Sequence, residues 1–165
     1  MSTDMNKMVD KFKALGLGEK IILVAALVLL IDSFLPWYSV NIGSIAGVDL
    51  GSVSRSGWQS PGGLWSIFAV LIGLAMAGVI LVKNLAKEGT LPDNISGITW
   101  PKIYLGAGAV AALFIVIKLL NHSGNLGFGF FVGIICVAGL AAGGFLMYKD
   151  EMAAGGGGSV GGPAN

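Results

Sequence analysis

Four stretches of the chain, residues 21–40, 64–82, 103–120 and 126–148, are almost free of charge and continuously apolar. Each is long enough to cross the interior of a bilayer, which takes about 20 residues in a helix. Inside lipid every backbone N–H and C=O must find a partner within the protein, so only helices and closed barrels can span. Unbroken apolar runs of this length, without strict alternation, select the helix. Composition agrees: 55% of the residues are hydrophobic, 12% are charged, and mean hydropathy is +0.82. A soluble domain carries roughly 25% charged residues. The predicted fold class is therefore all-α: a four-transmembrane-helix bundle with a small β-like extracellular loop and a short N-terminal amphipathic helix.

This reading divides the chain into three parts. Residues 1–18 form a cytoplasmic amphipathic segment, and residues 19–148 the membrane domain, with an outer loop at 41–63 and an inner loop at 83–102. Residues 149–165 form a Gly-rich tail of linker composition, expected to be disordered. In residues 4–15, Met5, Met8, Val9, Phe12 and Leu15 recur at helical spacing, with Lys7, Lys11 and Lys13 elsewhere on the wheel. Such a helix suits either a bilayer surface or the protein's own inner loops. The outer loop mixes Ile, Val and Leu with Gly and Ser in partial alternation, which predicts a small β-hairpin or twisted strands rather than a helix.

Orientation follows from the lysines and arginines in the short loops. Lys7, Lys11, Lys13, Lys20, Lys83, Lys87, Lys102 and Lys149 fall on one side, and only Arg55 and Lys118 on the other. Eight against two predicts both termini in the cytoplasm, with the protein multi-pass in the inner membrane of a bacterium. Trp37, Tyr38, Trp58 and Trp65 would mark the outer interface and Trp100 the inner one. The first span starts like a signal peptide, but no small-residue cleavage motif follows it before Pro36, so it reads as an uncleaved anchor.

With so few charges, the ones inside spans carry information. Asp32 lies eleven residues into the first run, about 16 Å at helical rise, and Pro36 cannot donate to its carbonyl. Three readings stand: a structural acid that fixes packing, a proton- or ion-handling group, or a residue near outer water. Lys118, fifteen residues into the third run, either snorkels outward or pairs with Asp32. Gly129 and Gly133, then Gly139 and Gly143, form two G-x-x-x-G steps in the fourth span; Gly73/Ala77 and Gly108/Ala112 resemble them. Small residues let helices approach closely, either within one bundle or between subunits.

Several functions find no support in the residues. One cysteine and one histidine preclude a Cys/His zinc site, and no Ser/His/Asp set or phosphate-binding glycine loop occurs. His122 sits in a short outer turn, and Cys136 reads as a small core residue. No cofactor is implied, and a net charge of +1 gives no reason to expect nucleic acid. The "FLPWYSV" that ends the first run and the "GWQ" element later in the loop resemble small bacterial four-span membrane proteins of unassigned function. That resemblance covers residues 21–148 and implies an integral membrane protein, with no site residues. In layout the chain is also loosely similar to claudin-like tetraspan proteins. The claudin loop disulfide is impossible here, because Cys136 is the only cysteine.

The function expected is non-enzymatic: a structural or accessory component, set in the lipid bilayer, that self-associates or joins a larger membrane complex. The alternative is a small channel or transporter-like pore using Asp32 and Lys118. A conducting path needs several polar groups along one route, whereas the second and fourth apolar runs offer almost only Ser66.

Overall fold

The computed structural model describes residues 2–59, 62–85 and 90–155. The chain is mostly helical. Helix α1 spans Ser2–Ala14 and α2 spans Leu17–Asp32. After a β-ribbon come α3 (Gly63–Leu85), α4 (Trp100–Asn121) and α5 (Phe128–Gly155). Helices α3, α4 and α5 are each long and apolar enough to cross a membrane. Helix α2, with 16 residues, meets the same standard only together with α1, from which it is bent by 117°. Gly16 makes that bend in extended conformation, and Glu19 reaches back to accept its N–H at 3.0 Å. This is one half of a capping box, since glycine has no side chain to return the bond.

Helices α2, α3, α4 and α5 form a ring in which each packs on its sequence neighbour and α5 closes on α2. The core inside the ring is aliphatic and aromatic, with Ile22, Leu29, Val70, Ile80, Tyr104 and Leu140 among its buried residues. The outside of the ring is aliphatic as well: Val24, Leu27, Ile31, Leu71, Leu113 and Ile135 are exposed. A surface so rich in bare Leu, Ile and Val is what hydrocarbon tolerates and water does not.

Two expected boundaries move. The first apolar run was expected to stay helical to about residue 40; instead α2 stops at Asp32 and a strand starts at Pro36. Proline lacks the N–H that would reach the Asp32 carbonyl and disfavours helical geometry at Leu35. That carbonyl is satisfied twice over, by the Leu35 N–H at 2.8 Å and the Trp37 indole N–H at 2.9 Å. The tail was expected to begin at residue 149, but α5 continues to Gly155. Residues 149–154 are good helix formers, and Glu151 is held by the Thr99 hydroxyl at 2.9 Å. The rest of the proposed tail, 156–165, lies outside the described residues.

The expected hairpin is present. Strand β1 (Pro36–Asn41) pairs antiparallel with β4 (Ser52–Ser56), and β2 (Ser44–Ile45) with β3 (Val48–Asp49) at the tip. Ala46 and Gly47, with φ of 53° and 82°, supply the two left-handed positions of a primed turn, whose twist matches paired strands. A second small hairpin, β5 (Asn94–Ile95) with β6 (Ile98–Thr99), precedes α4. It was not expected, although its Ser-Gly centre is a turn signal.

Candidate functional site

The ribbon end of the ring holds the buried polar groups. Asp32 is 1% exposed and Lys118 0%. Asp32 occupies the last turn of α2, and Lys118 the last turn of α4. Because consecutive helices run in opposite directions, the ends of α2 and α4 and the starts of α3 and α5 meet at the foot of the ribbon. Tryptophan 37, fully buried on β1, is inserted among them.

Lys118 is thoroughly engaged. Its amine donates to Ser66 Oγ at 2.7 Å and lies 4.7 Å from the centre of the Trp37 ring and 5.5 Å from that of Tyr38. An ammonium over two aromatic faces replaces lost hydration with the rings' quadrupoles. Ser66 in turn donates towards the carbonyls of Gly57 at 2.5 Å and Gly63 at 2.9 Å. The Gly57 N–H donates to the Ser33 carbonyl at 3.0 Å, and the Trp58 indole to Ser33 Oγ at 2.9 Å. One connected network thus ties α2, β4, α3 and α4 together.

Asp32 is placed differently. Neither of its carboxyl oxygens has a hydrogen-bond partner among the described residues. Both lie over the first glycine step of α5: a Cβ built on Gly129 would sit 3.2 Å from Oδ1, and one on Gly133 would sit 3.3 Å from Oδ2. The structure therefore brings Asp32 and Lys118 to the same buried end without a hydrogen bond between them. Trp37 touches both. Its ring face takes the Lys118 amine, and its N–H takes the Asp32 carbonyl.

Of the four glycines singled out in α5, Gly139 and Gly143 face α2, while Gly129 and Gly133 face Trp37 of β1 and the Asp32 carboxyl. A methyl at Gly129 or Gly133 would stand 2.7–2.8 Å from Trp37 ring atoms; one at Gly143 would stand 2.6 Å from Ile22 and 2.8 Å from the Gly18 carbonyl. Gly139 meets Ala25 at 3.1 Å. Gly108 of α4 lies against the Ala141 backbone of α5 in the same manner. These steps serve contacts within one chain.

The aromatic markers also turn inward. Trp37, Tyr38 and Trp100 are buried, and Trp58 and Trp65 half-buried, so they pack against the ends of the ring. Tyr38 donates to the His122 carbonyl at 2.9 Å, and Trp100 to the Pro92 carbonyl at 2.7 Å. Phe130 stands edge-on to Trp37 at 5.8 Å. Nothing in the sequence marked Ser33 and Phe130 as members of the site, and Trp58 stood out only as an interface aromatic. Ser66 was visible as a polar interruption of an apolar run, but nothing marked it as the partner of Lys118.

Beside this cap, a cavity of about 330 Å³ lies at the ribbon foot, lined by Tyr38, Val40, Val53, Arg55, His122 and Asn125 among others. Chemically, the arrangement buries an amine and a carboxyl and fixes two indoles; it aligns no nucleophile with a base. Among the described residues no group of three or more His, Cys, Asp or Glu could hold a metal ion. No family model, curated protein or solved structure matches the chain.

Proposed function

We propose that this protein is a non-enzymatic structural or accessory component of a bacterial inner membrane, a four-helix transmembrane bundle that uses its outer β-ribbon to contact a second copy or another membrane subunit. In this reading α2, extended by the packed cap, is the fourth span, and both termini face the cytoplasm, as the lysine distribution favours. One observation carries the reading. The ribbon projects from the ring with Val40, Ile42, Ile45, Val48, Leu50 and Val53 all exposed, Ile45 to 69%. These side chains add nothing to the core beneath them. The ribbon has only two strands at each level; the foot of β1 is covered on its far side by the α4–α5 turn, so the open edge is that of β4, a template for pairing with another chain.

The pore alternative has less behind it. Asp32 and Lys118 are buried, but between them and the α1 end the ring is filled largely by Ile22, Leu29, Ile80, Ile115 and Leu140, with the Tyr104 hydroxyl as an isolated buried polar group. The test is mass measurement in mild detergent, with any co-purifying subunit identified, on the unmodified protein and on Ile45→Lys/Val48→Lys. Assembly that the double change abolishes is expected. A unmodified protein that is monomeric and partner-free would sink the reading, and an ion or proton flux in liposomes that Asp32→Asn abolishes would install the pore in its place.

A further inference from the structure

Helix α1 contributes no buried residue, yet it carries four large apolar side chains in the open: Met5, Met8, Val9 and Phe12, at 67, 59, 48 and 44% exposure. At 100° per residue these and Leu15 fall within an arc of about 120°. Lys11 and Lys13 each lie about 40° beyond an opposite edge of that arc, and Lys7 and Asp10 lie behind it. The bend of 117° between α1 and α2 lays α1 across the end of the ring, closer to perpendicular than to parallel.

The direction of the apolar arc is fixed by what it faces. Met8, Phe12 and Leu15 line a groove of about 120 Å³ whose other wall is Ile80, Leu81 and Leu85 of α3, with Lys11 and Asn84 also on its lining. Helix α3 is long and apolar enough to cross a membrane, and Leu81, at the inner end of its apolar run, lies on its exposed flank with Leu85 beyond it. The groove is a wedge between a surface-lying helix and the side of a span, which is where one leaflet's acyl chains end and its headgroups begin. The nearest acid, Glu19, is occupied by the Gly16 N–H at 3.0 Å and the Asn84 amide at 3.4 Å, and Asp4 sits a turn beyond the groove. Lys20 donates to the Lys13 carbonyl at 2.9 Å, keeping a second cation beside Lys13.

We propose that this wedge is a binding site for an anionic phospholipid, with an acyl chain along Met8, Phe12 and Leu15 against α3 and the phosphate at Lys11. Lysines flanking an apolar stripe reach the phosphate plane while their stems stay on the acyl chains. A zwitterionic lipid presents the same phosphate but no net negative charge, so it gains less from the lysines, and the site favours anionic lipid through Lys11 and Lys13.

The full-length protein in nanodiscs of phosphatidylcholine, with or without phosphatidylglycerol, provides the test. Spin labels are placed at Phe12→Cys and Lys7→Cys on a Cys136→Ala background. In discs containing phosphatidylglycerol, the Phe12 label should be relaxed by oxygen rather than by a water-soluble nickel chelate, and the Lys7 label by the chelate. Native mass spectrometry of the released protein should show retained phosphatidylglycerol, reduced about tenfold in Lys11→Glu/Lys13→Glu. The α1 substitutions leave the core untouched, because α1 buries nothing in it, and the buried Cys136→Ala change is common to both labelled proteins. A Phe12 label as open to nickel as Lys7 overturns the proposal. So does a label shielded from both reagents, which would mean a protein surface covers α1. Undiminished phosphatidylglycerol on the charge-reversed variant would overturn the headgroup assignment.

Discussion

Trp37 is held on three sides at once: its N–H by the Asp32 carbonyl, its face by the Lys118 amine, and its edge by Gly129 and Gly133. Residue-scale predictions follow from that crowding. Gly133→Leu puts carbon where the rigid indole already stands, so it should destabilise by about 1–3 kcal/mol or more. Its effect should appear as a lowered melting temperature in detergent at unchanged oligomeric mass; a change in mass with stability intact would move Gly133 to a subunit interface. Asp32 and Lys118 should respond unequally. Asp32→Asn keeps the shape and removes no hydrogen bond that the described residues make to the carboxyl, so stability should change by no more than about 1 kcal/mol. Lys118→Met strips the Ser66 bond and the ring contacts and should cost about 1–3 kcal/mol. Equal losses, with strong coupling in the double variant, would instead reveal a direct ion pair. Asp32 and Lys118 stood out in the sequence because a charge within lipid is expensive. The bond from Lys118 to Ser66 did not, because Ser66 lies 52 residues from Lys118, and which side chains meet depends on how α3 and α4 are rotated.

The end of α2 illustrates what elements decide. Pro36 was readable as a break, yet hydrophobicity alone ran on to residue 40, since a buried strand and a buried helix share apolar composition. What makes β1 a strand is its company. It pairs with β4 on one side, and on the other the Ser39 N–H donates to the Asn125 carbonyl at 3.0 Å and the Gly127 N–H to the Trp37 carbonyl at 2.7 Å. Gly127 sits so close to Pro36 that a Cβ there would strike the Pro36 carbonyl. Gly127→Ala should therefore push the α4–α5 turn off β1 and lower the melting temperature, by about 1–3 kcal/mol of stability. Amide exchange at Ser39 should speed up with it. Exchange that stays slow would show that β1 does not depend on this turn.

At the scale of the molecule, the ring, the ribbon and α1 divide the surface into an aliphatic belt and two unlike ends. The lysine asymmetry predicts which end faces which compartment. In intact cells an impermeant thiol reagent should label Ser54→Cys on β4 and leave Thr90→Cys unlabelled; both positions are exposed, and the natural Cys136 is buried. Labelling at position 90 in sealed cells would invert the orientation. The number of apolar helices and their alternation were set by the sequence alone, because the cost of unsatisfied backbone in lipid depends only on local composition and length. So was the existence of α1 and of the ribbon, each of which rests on periodicity. Tertiary structure decided the rest. It turned Trp37, Tyr38 and Trp100 inward, committed the α5 glycines to α2 and Trp37, and gave Lys118 to Ser66 and two rings while leaving the Asp32 carboxyl against glycine. Those outcomes depend on helix rotation and on contacts far apart in the chain, where the energy belongs to the pair and cannot be read from either member.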